Sequence, residues 1–110
     1  MAVLLVLLAH YVGDYGLQTD YMAEHKGRDW YVLFAHAAVW TFMVTVAGML
    51  GGLHVSAVPV IIVLLMPHML IDMVKARRML WVPHMSDTAA LAVDQGLHMV
   101  QLTVFLLLCW

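Results

Sequence analysis

The chain has 110 residues, of which 65% are hydrophobic and 11% charged, and its mean hydropathy is +0.91. That balance lies outside the range of soluble domains of this size and marks a small integral membrane protein. A net charge of −2, from five basic and seven acidic residues, gives no basic surface for nucleic acid, and the single cysteine, Cys109, excludes an intrachain disulfide.

Four apolar stretches follow one another, at about residues 2–17, 30–50, 55–74 and 88–110, each near the ~17 to 25 residues that cross a bilayer as a helix. They predict an all-α, up-down-up-down membrane four-helix bundle forming one domain over residues 1–110. The first stretch is the shortest. It has no basic leader, and Gly13-Asp14-Tyr15-Gly16 stands where a signal peptide would carry a small-residue cleavage site, so it reads as a retained helix, tilted or incomplete. His10 and Asp14 lie in it, and Gly13 between them permits close helix approach or a ligand.

A polar connection at 19–29 follows, with Asp20, Glu24, His25, Lys26, Arg28 and Asp29, the last a natural N-cap for the second helix. The second helix holds one polar ring, His36, and ends in a glycine-rich turn at 48–54. In the third, Pro67 precedes His68 and deprives the carbonyl of Val63 of its helical donor, and Asp72 follows one turn later. The connection at 75–87 contains Lys75, Arg77, Arg78, Pro83 and His84, and Ser86 or Asp87 caps the fourth helix. Asp94, Gln95, His98 and Gln101 lie in that helix, and Cys109 near its end reads as an apolar filler. His25, His54 and His84 read as exposed loop histidines.

All five Lys and Arg residues fall in the first and third connections, which an alternating bundle places on one face. The positive-inside rule makes that face cytoplasmic and turns both termini outward, in a multi-pass protein of the inner (cytoplasmic) membrane. The basic run around Lys75 to Arg78 suits anionic lipid headgroups, so membrane lipid is the expected partner and nucleic acid is not. The abundance of Met and small residues is compatible with a homo-oligomer.

His10 with Asp14, His68 with Asp72, and Asp94 with His98 are each four residues apart, so each pair shares a helix face. A carboxylate in lipid costs roughly 3 kcal/mol or more unless it is paired or bound. Counted from the basic ends at ~1.5 Å per residue, the polar groups all fall roughly 4 to 16 Å deep, a level shared by all four helices. Three buried aspartates with four neutral histidines carry a charge that two divalent cations would neutralise, with a bridging hydroxide completing the balance. His10, Asp14, His36, His68, Asp72, Asp94 and His98 are therefore the expected ligands of about two ions such as Zn, Mn or Fe. The plainer alternative is that each pair makes its own hydrogen bond or bonds across helices. Gln18, Gln95 and Gln101 are placed to orient ligands, and Lys26, Lys75, Gln18 and Gln95 to meet a substrate, with Arg77 and Arg78 on the rim.

The run Ala9-His10 through Gly13-Asp14 to Leu17-Gln18-Thr19, with Met22-Ala23, Lys26 and His36, then His68-x-x-Ile71-Asp72-x-x-Lys75 and Asp94-Gln95-x-x-His98, resembles a bacterial and phage integral membrane protein family of unknown function. Its polar pattern is more loosely similar to membrane-bound metal-dependent hydrolases. That resemblance implies metal-dependent hydrolysis as the reaction class. The depth of the polar groups would put it in the cytoplasmic leaflet, with Asp14, Asp72 and Asp94 as the expected catalytic carboxylates. No Ser or Cys near the site has a catalytic partner and His-Glu-x-x-His is absent, so water would be activated by the metal ions themselves. A substrate with an anionic head and an apolar tail, such as a phospholipid or isoprenoid phosphate, suits the basic rim. A divalent metal-ion transporter or channel, a haem-binding bundle and a non-catalytic membrane protein that binds a partner are the competing readings.

Overall fold

The computed structural model describes residues 1–110, and the chain is helical throughout, with five helices and no strand. We number them α1 (Ala2–Gly16), α2 (Asp20–His25), α3 (Trp30–Leu50), α4 (Ala57–Ala76) and α5 (Asp87–Cys109). Three of them, α3, α4 and α5, are long and apolar enough to cross a membrane, at 21, 20 and 23 residues. That property points to membrane association. Helix α1 is apolar but shorter.

The caps follow local chemistry. Asp29 accepts a hydrogen bond from the backbone N–H of Tyr31 at 2.9 Å to start α3, and Ser86, rather than Asp87, accepts from Ala89 at 3.1 Å to start α5. Thr19 does the same for α2 with Met22, at 3.1 Å. The short α2 lies inside what reads from the sequence as a connection. It changes the setting of His25, which is half-buried on a helix and stacked on Tyr21 with ring centroids 4.0 Å apart, whereas His54 and His84 are exposed as expected.

Two helices depart from regular α geometry beside the polar residues. The last turn of α1, Val12–Gly16, is a π turn, closed by the Leu17 N–H on the Val12 carbonyl at 2.8 Å, and it carries Asp14. In α4 a π segment, Val60–Leu65, precedes Pro67 and His68. The carbonyl that Pro67 frees finds a donor in the next helix: Gln101 Nε2 donates to the oxygens of Val63 and Leu64, at 2.7 and 2.6 Å.

Packing at one end is mostly apolar. Val6, Trp40, Val44, Leu64, Leu102, Phe105 and Cys109 form a core in which each is at most 1% exposed. The thiol of Cys109 is free and buried there, and its carbonyl accepts from the His54 N–H at 2.7 Å. Gly51 lets the backbone of Ala2 approach, where a Cβ would stand 2.5 Å from the Ala2 Cα. Outward faces are apolar as well: Leu4, Leu8, Phe42, Ile62, Leu70, Val100 and Leu107 are all exposed. Such a surface suits acyl chains and would be an aggregation hazard in water.

Candidate metal centre

Toward the basic end the core gives way to a polar cluster. His10, Asp14, His36, His68, Asp72, Asp94 and His98 are all buried, at no more than 6% exposure. Helix α1 supplies the first two, α3 supplies His36, α4 supplies His68 and Asp72, and α5 supplies Asp94 and His98. Close approach of α1 to α3 is what brings Asp14 in: Gly13 lies on Trp40, and a Cβ there would stand 3.1 Å from the Trp40 Cα.

Six of the seven residues point ligand atoms at one another, in two overlapping groups. Asp14, His36, His68 and Asp72 form one, and Asp14, Asp94 and His98 the other, with the donor atoms of each group within 4.8 Å. In the first group His36 Nε2 lies 2.9 Å from Asp72 Oδ2, 3.2 Å from Asp14 Oδ1 and 3.3 Å from His68 Nε2. In the second, His98 Nδ1 lies 3.7 Å from Asp94 Oδ2, and its Nε2 lies 3.8 Å from Asp72 Oδ1 of the first group. Neither ring nitrogen of His98 has a hydrogen-bond partner, nor does Asp94 Oδ1 or His68 Nδ1. Buried polar atoms are rarely left so. These donors, two imidazoles with two carboxylates and one imidazole with two carboxylates, are of the kind that hold divalent ions.

His10 is placed differently from the other six. Trp40 Nε1–H donates to its Nδ1 at 3.0 Å, which leaves the proton on Nε2 to be donated to Gln95 Oε1 at 3.0 Å. The Gln95 amide then donates to Asp14 Oδ2 at 3.2 Å and to Asp94 Oδ2 at 3.0 Å. Both nitrogens of His10 are thus engaged, and the chain Trp40–His10–Gln95 orients two carboxylates. Gln95 has its amide committed inside the cluster. Trp40 is not among the residues singled out from the sequence; its position four residues after His36, on the same helix face, is the signal that could have found it. Its indole also stacks on His68, with centroids 4.0 Å apart.

Two lysines reach the cluster from the basic side. Lys26 Nζ, held by Gln18 Oε1 at 2.8 Å, donates to Asp72 Oδ2 at 3.2 Å, and Lys75 Nζ lies 3.6 Å from Asp94 Oδ2. The negative charge of three carboxylates is therefore partly balanced by these two ammonium groups, and Asp14 is the carboxylate without a lysine. A polar cavity of about 590 Å³ opens above them, lined by Gln18, Glu24, Lys26, Arg28, Lys75 and Arg77, with Asp72 at its base. Arg78 does not line it. The helix has ended at Ala76, and Arg78, at φ +50°, turns away to pair with the exposed Asp87 at 3.1 Å. Arg28 stands on the rim in its place.

The facing nitrogens of His36 and His68, 3.3 Å apart with carboxylates on their flanks, leave no slot for a planar macrocycle between them. No curated protein and no solved structure matches the chain. A family model described as "Protein of unknown function (DUF3307)" matches residues 2–110, so the chain belongs to that family.

Proposed function

We propose that this is a membrane-embedded, metal-dependent hydrolase acting on an amphiphilic substrate with a phosphorylated or otherwise anionic head at the cytoplasmic leaflet. In this reading α1, α3, α4 and α5 run up-down-up-down through the inner membrane, and the connections holding Lys26 and Lys75 to Arg78 face the cytoplasm because every basic residue lies in them. The observation that carries the reading is the basic cavity that ends on Asp72: buried metal-type donors are joined to a vestibule lined by Lys26, Arg28, Lys75 and Arg77.

Charge supports an anionic substrate. With two divalent ions in place, the lysines at Asp72 and Asp94 leave the cluster with surplus positive charge, which a phosphoryl group would neutralise. Beside the vestibule runs an apolar groove of about 430 Å³, lined by Trp30, Met66, Pro67, Met69, Leu70 and Met73. Arg77 links the two, since its guanidinium lies 4.2 Å over the Trp30 ring, so a head in the vestibule and a tail in the groove form one continuous path. In hydrolysis the water oxygen bonds to phosphorus, the bond to the leaving oxygen breaks, and a proton passes from the water to that oxygen by way of a cluster carboxylate. Bound divalent ions would supply acidity to the water and stabilise charge on the phosphoryl oxygens.

The transporter reading is less well supported, because a conducting path would have to cross Val6, Val44, Leu64, Leu102 and Phe105, which seal the other end.

The test is phosphate release from phospholipids and isoprenoid phosphates by protein in nanodiscs supplied with Zn²⁺ or Mn²⁺. Asp72→Asn and Asp94→Asn should each lower kcat at least about a hundredfold while the protein stays helical and monodisperse, because each removes a ligand charge. Lys75→Ala should raise KM more than it lowers kcat. Tight metal binding without hydrolysis of any of these lipids, together with ion flux in sealed liposomes, would replace this reading with transport.

A further inference from the structure

The two donor groups are unequal, and we infer that the two ions are held in different ways: a closed four-coordinate site formed by Asp14, His36, His68 and Asp72, and an open site formed by Asp14, Asp94 and His98, with Asp14 shared between them. This rests on the metal-binding reading above and assigns the water and the substrate oxygen to the second ion.

The first group has the dimensions of a tetrahedral cage. Donors bonded at ~2.0–2.1 Å to a tetrahedral ion stand about 3.3–3.4 Å from one another. The separations here are 2.9 Å for His36 Nε2 to Asp72 Oδ2, 3.2 Å to Asp14 Oδ1 and 3.3 Å to His68 Nε2, with His68 Nε2 at 3.5 Å from Asp72 Oδ2 and 3.8 Å from Asp14 Oδ1. They bracket the tetrahedral edge. Four protein donors fill such a shell and leave no position for substrate. Trp40 stacked on His68 closes that side against water.

The second group offers three donors. His98 is fully buried with both ring nitrogens unpartnered, and Asp94 Oδ1 is likewise unbonded although its Oδ2 is held by Gln95, so these atoms are free to take a ligand. Three protein ligands leave a coordination position open, the pattern of catalytic rather than structural zinc. Lys75 lines the vestibule and lies 3.6 Å from Asp94 Oδ2, so it connects this second group to the cavity, whose base is Asp72 of the first group. Gln95 bonds both Asp14 and Asp94 and so fixes the carboxylates of this second site, whereas Lys26 contacts only the first, at Asp72.

Titration of metal-free protein in detergent with Co²⁺, read by visible absorption and by elemental analysis, separates the two sites. Inorganic phosphate, which can reach only the open site, should shift the bands of one equivalent and leave those of the other unchanged. His98→Ala should lose the phosphate-sensitive equivalent and keep the other with its bands, and His68→Ala should lose the phosphate-insensitive bands. His98→Gln, which keeps a polar side chain of similar size, serves as the second variant, with helical circular dichroism as the control for folding. Two equivalents that respond alike to phosphate, a single equivalent in wild type, or loss of both ions in folded His98→Gln would overturn the inference. Wild type that binds no Co²⁺ or Zn²⁺ would remove it together with the metal-binding reading. Binding as described without hydrolysis would leave it standing and remove the hydrolase assignment alone.

Discussion

The two ends of this molecule use the same four long elements in opposite ways. Around Val6, Val44, Leu64, Leu102 and Phe105 the helices interlock through apolar side chains that are at most 1% exposed, whereas further along the same helices bury three aspartates and four histidines. The apolar end gains stability from close packing. The polar end instead buries charge, and His98, His68 and Asp94 keep buried atoms without partners there, as Thr41 and Thr45 do among the apolar side chains. The difference teaches that apolar packing holds the helices together beside the cluster, with Trp40 common to both ends.

The strongest way to break this comparison is to damage the apolar end. Phe105→Ala should destabilise the protein by about 3–5 kcal/mol through the cavity it leaves, measured by thermal or detergent unfolding of the metal-free protein. If that substitution instead abolished metal binding with unfolding unchanged, the two ends would not divide the work as described. A change at the polar end should do the reverse. Gln95→Ala removes the amide that bonds Asp14, Asp94 and His10, and should weaken Zn²⁺ affinity by about 10- to 100-fold, read by competition with a chelator, with the unfolding midpoint of the metal-free protein nearly unchanged. The boundary between the ends is Gln101. Gln101→Leu leaves the carbonyls of Val63 and Leu64 without their donor and should cost about 1 kcal/mol in the same unfolding measurement, the smallest of the three effects.

Much of this division is legible in the sequence, because a carboxylate or imidazole in an apolar helix must have a use. The bounds of α3 follow from Asp29 at its start and the glycines at its end, and six of the seven expected ligands carry donor atoms in the two groups. What escapes the sequence is geometry that composition does not encode. Helix α2 is hidden because Asp20, Glu24 and His25 look like a polar loop, although Thr19 was a usable cap signal. The role of His10 is hidden because four-residue spacing to Asp14 implies a shared face, while its partners, Trp40 and Gln95, come from other helices. Arg28 and Arg78 exchange roles because the left-handed turn after Ala76 carries Arg78 outward, a reversal that a count of basic residues cannot see.

The π turn at Val12–Gly16 makes the placement of Asp14 a matter of chain length. A turn closed five residues back instead of four holds one residue more than a regular helix. Each residue of a regular helix advances the side-chain direction by about 100°. Loss of a single residue from this turn would therefore swing Asp14 away from both donor groups while leaving the apolar packing of Val6 in place. Length at this one point is thus as much a condition of the cluster as the carboxylate it carries.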